Sequence, residues 1–205
     1  MTTDKKNAMK LLVERVEDYV KRKLNHLPKN MYFHNVKHTQ MVVRASKEVC
    51  DKVKASEDIE EIVLIAAWFH DIGYLSDYYN HEEESKIIAL EFLIKENYNP
   101  RKINEVLNCI NATRFGYEPQ SLAEKIIRDA DVYHLASTKY FDWLAKLRCE
   151  WEHKLNTCLT DEQWYNKNLV FLKNHSFCTA YGQRVLEKKK QLNIHKNIKK
   201  MEGRI

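Results

Sequence analysis

Eight consecutive apolar residues, Ile62 to Phe69, run directly into His70 and Asp71. Wound as a helix, IVLIAAWF leaves no polar face, so it must be surrounded by protein on every side. It falls well short of the roughly 20 residues needed to cross a bilayer. The expectation is a buried central helix with an imidazole and a carboxylate at its end. Only four Gly and three Pro occur in 205 residues, which disfavours a turn-rich β architecture and favours long helices. A chain of this length can bury a sizeable core without staples.

Helical periodicity continues on both sides. Met9, Leu12, Val16 and Tyr19 form one stripe within residues 4–25, with Val20 beside it. After a break at Pro28, a second helix is predicted over about 34–54. The central helix is predicted from Ile59 into Asp71, with Gly73 at a left-handed C-cap. DYYNHEEES should open a fourth helix. Pro100 should start a fifth that ends before Gly116, and LAEKIIRDAD should form a sixth after Pro119. A seventh spans 138–156. Thr160 and Gln163 form a capping-box signature for an eighth. A ninth runs from about Thr179 into a basic tail. No strand alternation, internal repeat or linker-like stretch is visible, so the expectation is an all-α bundle of about nine helices in one domain, 1–205. Trp68, Trp143, Trp151 and Trp164 are expected in the core.

Five cysteines, an odd number without a CxxC, point to packed, reduced thiols. The opening MTTDKKNAMK lacks the apolar region of a signal peptide, so a cytoplasmic protein is expected, without a membrane partner. Net charge is +5, but Arg184 to Ile205 carries eight Lys or Arg against Glu187 and Glu202. The basic character belongs to this tail and reads as a solvated helix face, which argues against a nucleic-acid partner. Oligomerisation is left open.

The chemistry-bearing residues cluster in sequence. A buried carboxylate is costly unless paired or coordinated, so His70–Asp71 at the mouth of an apolar helix invites a cation. Upstream, YFHNVKHT sets His34 and His38 four apart, on one face if helical. Downstream, RDADVYHLA offers Asp129 and Asp131, about 200° apart on a helix, so that one of the two should face a given ion. Two imidazoles with two carboxylates suit a transition metal such as Mn, Fe, Co, Ni or Zn better than calcium.

These motifs, in this order, resemble those of the HD superfamily of metal-dependent phosphohydrolases. YFHNVKHT is similar to the family's YHN-x-x-HT opening, AAWFHDIGY to its central helix, HEEES to the following helix, and DADVYHL to its closing aspartate motif. Together they cover about residues 30–136. The resemblance implies His38, His70, Asp71 and Asp131 as ligands of one divalent ion (Mn, Co, Ni, Fe, Zn or Mg). Asp129 then takes a structural role, pairing with Arg128 or capping a helix. His34 contacts substrate or orients His38, and His134 supports Asp131 from behind. Departures are visible too: Tyr74 stands where cyclic-dinucleotide members carry lysine, and Asn111 stands where two-metal members place a histidine.

The resemblance further implies hydrolysis of a phosphomonoester or phosphodiester, of a nucleotide or another small phosphorylated molecule. A divalent ion acidifies bound water and polarises a phosphoryl oxygen. His81 and Glu82 of HEEES, with Asp71, are the candidate acid–base groups. Arg114 and Lys37, beside His34, are the candidate phosphate-binding groups. The alternatives are a metal-containing ligand-binding module of weak turnover and a di-iron oxygenase of the same fold.

Overall fold

The computed structural model describes the backbone of residues 3–202 and the side chains of 9–202. Among these residues it is all-helical, with nine α-helices and no strand. They are α1 (Thr3–Leu24), α2 (Val36–Val53), α3 (Glu57–Phe69), α4 (His81–Lys95), α5 (Pro100–Asn111), α6 (Leu122–Asp131), α7 (Tyr140–Lys154), α8 (Asp161–Asn174) and α9 (Glu187–Met201). No helix among the described residues is long and apolar enough to cross a membrane.

The apolar segment behaves as its composition requires. Every residue from Glu61 to Phe69 on α3 is buried, and α1, α2, α4, α5 and α6 pack around it. Local caps set where these helices begin. Asn35, Ser56, Asn99, Ser121 and Thr160 each accept a backbone N–H of the first turn, and Thr160 with Gln163 forms the full capping box. The ninth helix, expected from about Thr179, is regular α only from Glu187 because a π-helical turn over Gly182–Leu186 precedes it, and two others begin later than expected for local reasons. α2 starts at Val36 because Asn35 is extended and caps it, which leaves His34 in the preceding loop. α4 starts at His81 because Asp77 accepts the N–H groups of Tyr79 and Asn80 and holds DYYN in a turn.

Three features depart from the sequence expectation. Trp68 and Trp164 are buried, but Trp143 and Trp151 are half-buried and face other aromatic or cationic groups. Cys50 and Cys109 are buried thiols, whereas Cys149 and Cys158 are exposed. In the basic tail, Lys190 is buried, bonded to the His175 carbonyl and Glu187, so that face is not wholly solvated. Arg204 lies outside the described residues.

After α3 the chain makes a 3-10 turn over Ile72–Leu75. Gly73 is not a left-handed cap; Gly116, at φ +81°, is the positive-φ glycine among the described residues. Gly73 is needed for close approach. A Cβ there would run into the His81 carbonyl oxygen and come within 2.7 Å of the Ser85 amide nitrogen, both backbone atoms of α4. Gly73→Ala should therefore destabilise by about 3 kcal/mol or more, beyond ordinary core overpacking. Chemical denaturation of the variant against the parent protein measures this; a loss under about 1 kcal/mol contradicts the packing described.

Candidate metal centre

The central helix delivers His70 and Asp71 to one point, and two other elements meet it there. His38 comes from the first turns of α2 and Asp131 from the last residue of α6. His38 Nε2 lies 3.2 Å from Asp131 Oδ1, 3.4 Å from Asp71 Oδ2 and 3.5 Å from His70 Nε2. His70 Nε2 lies 3.2 Å from Asp71 Oδ2 and 3.5 Å from Asp131 Oδ1. Donors about 2.1 Å from a shared ion stand roughly 3.0–3.4 Å from their neighbours. The spacing thus matches ligands around a common cation. His38, His70 and Asp71 form the tight group and are buried; Asp131, 21% exposed, closes it on the side of solvent.

Two observations test whether a cation fits. Asp71 Oδ2 is buried and accepts no hydrogen bond despite both imidazoles beside it, so its negative charge is left without a donor. His70 donates its Nδ1–H to the Ala67 carbonyl at 2.8 Å, which leaves the Nε2 lone pair facing the cluster. The residues therefore fit a divalent cation. Electrostatics agrees. Burial works against charge on His70, yet the Asp71 and Asp131 carboxylates outweigh it and raise its pKa well above the ordinary value. Burial likewise opposes ionisation of Asp131 and is outweighed by hydrogen bonds to His38 and His70, which hold its pKa well below the usual range. The cluster binds positive charge, whether a proton or a metal.

Of the four donors, Asp131 lines a cavity of about 890 Å³ between the core and α7–α8, with the other three buried behind it. His34, Tyr74, Asp131 and His134 line its inner end; Trp151 and Phe171 line the outer. His34 does not share a helix face with His38, but the rings are still 5.7 Å apart. Its Nδ1–H donates to Glu150 Oε1 at 2.5 Å, and Glu150 Oε2 accepts the Phe33 and His34 amides at 2.8 and 3.0 Å. Tyr78 donates to the same carboxylate at 3.1 Å. Glu150, wholly buried, was not among the residues expected at the site. It could have been found as an acid one turn past Leu147 on the apolar side of α7.

His81 stacks on Tyr74, with ring centroids 3.9 Å apart and planes 12° from parallel. Its Nε2 lies 3.9 Å from Asp71 Oδ1 and 3.5 Å from Glu82 Oε1. Burial is the main cause of its lowered pKa, so it is poised as a neutral group. Glu82 is buried beside it, while Glu83 is on the surface with Lys86 and Arg114. His134 is held near neutrality by burial, with a pKa lowered to about 3. Asp129 is wholly buried and accepts the Cys178 and Thr179 amides and the Thr179 hydroxyl, at 2.6, 2.9 and 2.6 Å. It caps the segment leading into α9 rather than pairing with Arg128. Arg114 pairs with Glu83 at 3.4 Å and does not line the cavity; nor does the exposed Lys37. The guanidinium that lines it is that of Arg128.

Fold and cluster together define a class: an all-helical domain with a candidate cation site at the end of its buried central helix. Residues 35–136 match the family model described as HD domain, and the chain belongs to the HD superfamily, a superfamily of metal-dependent hydrolases. The fold is similar to the crystal structure of a Lactobacillus plantarum protein, a Northeast Structural Genomics target. That similarity has a TM-score of 0.67 at 14% identity, over 93% of this chain and 95% of the other. No curated protein matches the sequence.

The His34–Glu150 pair has a definite pH signature in metal-stripped protein. Burial lowers the His34 pKa, but the Glu150 hydrogen bond and the nearby carboxylates reverse this and raise it. Burial raises the Glu150 pKa, but the bonds from His34 and the two amides reverse this and lower it. The glutamate's contribution is present above its unfolded pKa, near 4.3, and fades as pH falls through its lower folded value. The histidine's is present below about 6.5 and fades as pH rises through its higher folded value. The stability lost in Glu150→Gln should therefore be greatest between about pH 4.5 and 6.5, at about 3 kcal/mol for a broken buried pair. Denaturation of both proteins across that range checks it; a difference rising steadily to pH 9 contradicts it.

Proposed function

We propose that this protein is a phosphohydrolase that cleaves a phosphomonoester or phosphodiester of a small phosphorylated molecule such as a nucleotide. It uses one divalent cation held by His38, His70, Asp71 and Asp131. The observation that carries this reading is the convergence of those four donors, with Asp71 Oδ2 lacking any hydrogen-bond donor, at the back of a cavity large enough for such a substrate. We read the whole chain as one functional unit, because α7 and α8 supply Glu150 and the outer cavity wall.

When bound, the cation acidifies water and polarises a phosphoryl oxygen. The protein's own groups supply the rest. Glu150 holds His34 through Nδ1, so the opposite ring nitrogen is the one left for substrate. As the bond from phosphorus to the leaving oxygen breaks, His34 delivers a proton to that oxygen. In this reading His81, between Asp71 and Glu82, accepts a proton from the attacking water rather than donating one.

A second reading has a specific observation behind it. His81 Nε2 and Glu82 Oε1 sit together near the second oxygen of Asp71, an arrangement that a second cation could occupy. Elemental analysis separates the two: about one ion per chain supports the hydrolase as proposed, and about two irons with oxygen uptake support an oxygenase.

Asp71→Ala should lose bound metal and all phosphoesterase activity together in a screen supplemented with Mn, Co or Mg. His34→Gln should keep its metal and lose about 100- to 10,000-fold in turnover. Metal-replete, folded protein that cleaves no phosphoester across a broad nucleotide panel would remove the hydrolase reading.

A further inference from the structure

Arg128 lies one turn before Asp131 on α6 and lines the same cavity. Its Nη1 donates to the Ala112 and Arg114 carbonyls, at 2.8 and 2.6 Å, just past the end of α5. A guanidinium has five N–H donors, and anchoring by one nitrogen leaves the three on Nε and Nη2. That edge is the fork that grips phosphate or carboxylate. Neither of the cavity's carboxylates forms an ion pair with Arg128 within 4.0 Å. Asp131 belongs to the cation cluster, and Glu118 is exposed. The charge of Arg128 is thus held in place by neutral carbonyls and left uncompensated at a cavity wall. Its field is felt by Cys178 on the facing segment. Lys167, stacked 4.9 Å from Trp151, adds a second cation to the lining.

We propose that Arg128 is the specificity-determining residue of the cavity and binds a second phosphate of the substrate, so that preferred substrates carry one phosphate at the cation cluster and another on the part that departs. Phosphate is favoured over carboxylate because its higher charge pairs more strongly with a fixed, uncompensated guanidinium, and Lys167 adds to the positive potential of the same lining. The proposal rests on the reading of this cavity as the substrate pocket, and its test separates the two.

Binding to metal-loaded protein is measured by calorimetry for adenosine with phosphates at both the 3′ and 5′ positions, and for each adenosine monophosphate. The bisphosphate should bind about 10- to 100-fold more tightly than either monophosphate, as expected of a charge-assisted pair. In Arg128→Met this margin should fall to about twofold, with monophosphate affinity changed less than about threefold. Arg128→Lys retains a charge and a donor for the α5 carbonyls but lacks the fork. It should cut the margin at least about threefold in a variant of unchanged melting temperature and metal content. A bisphosphate margin absent from the parent protein, or fully retained in a folded Arg128→Lys or Arg128→Met variant, overturns the proposal. Turnover without any margin sinks this inference and leaves the hydrolase reading intact. An Arg128-dependent margin without turnover does the opposite.

Discussion

The site depends on one close contact, between the turn that follows the central helix and the first turns of α4. Ser85 donates from its hydroxyl to the His70 carbonyl at 2.7 Å and accepts the Gly73 amide at 2.9 Å. One buried hydroxyl thereby satisfies both the acceptor that ends α3 and the donor that opens the next turn. The contact fixes the backbone on either side of Asp71, and it brings His81 to the same place because His81 and Ser85 are one turn apart on α4. Gly73 is the residue that lets the two backbones meet. His70, Asp71 and the neighbouring His81 are therefore positioned by one packing event, while His38 and Asp131 are brought to them by α2 and α6.

That packing is possible only because charge is concentrated. The protein buries Asp71 at the end of its most apolar helix, where an isolated carboxylate would cost several kcal/mol. Without a metal the compensation comes from protonated imidazole, which is why His70 is held so far above its ordinary pKa. A divalent cation held by the same residues would provide that compensation, with His70 neutral. Stability and ligand binding are thus linked through the same four side chains.

Much of this was legible in the sequence where chemistry and periodicity coincide. The apolar run ending in His70–Asp71 has few folded solutions, and the H, HD and D motifs in order specify the helices that meet it. Less legible were contacts made across long separations. His34 and His38 read as helical neighbours, but Asn35 competes for the helix start with its own cap, and the rings meet through loop geometry instead. Arg114 read as the phosphate ligand, whereas a surface glutamate takes it and Arg128 faces the cavity. Glu150 is more than a hundred residues from its partner His34, and no local pattern links the two. Trp143 and Trp151 look like core residues by type but are half-buried, Trp151 because it forms part of the cavity wall.

Those same long-range contacts show where an HD-type site acquires its particular chemistry. The matched residues, 35–136, hold the four candidate ligands and the turn that positions them. Glu150, Trp151, Lys167 and Phe171 all lie beyond that span, yet one orients His34 and the others form the outer wall. Asp129, next to the closing ligand's helix turn, ties the two regions together by capping the chain as it enters α9; a Cβ on Gly182 would run into its carboxylate. A change in α7 or α8 can thus alter the cavity's outer wall, or how His34 is oriented, without moving a single candidate ligand. The candidate cation cluster and Arg128 thus lie within the matched span, while Glu150 and the outer wall come from the helices beyond it, and all of them meet at one cavity.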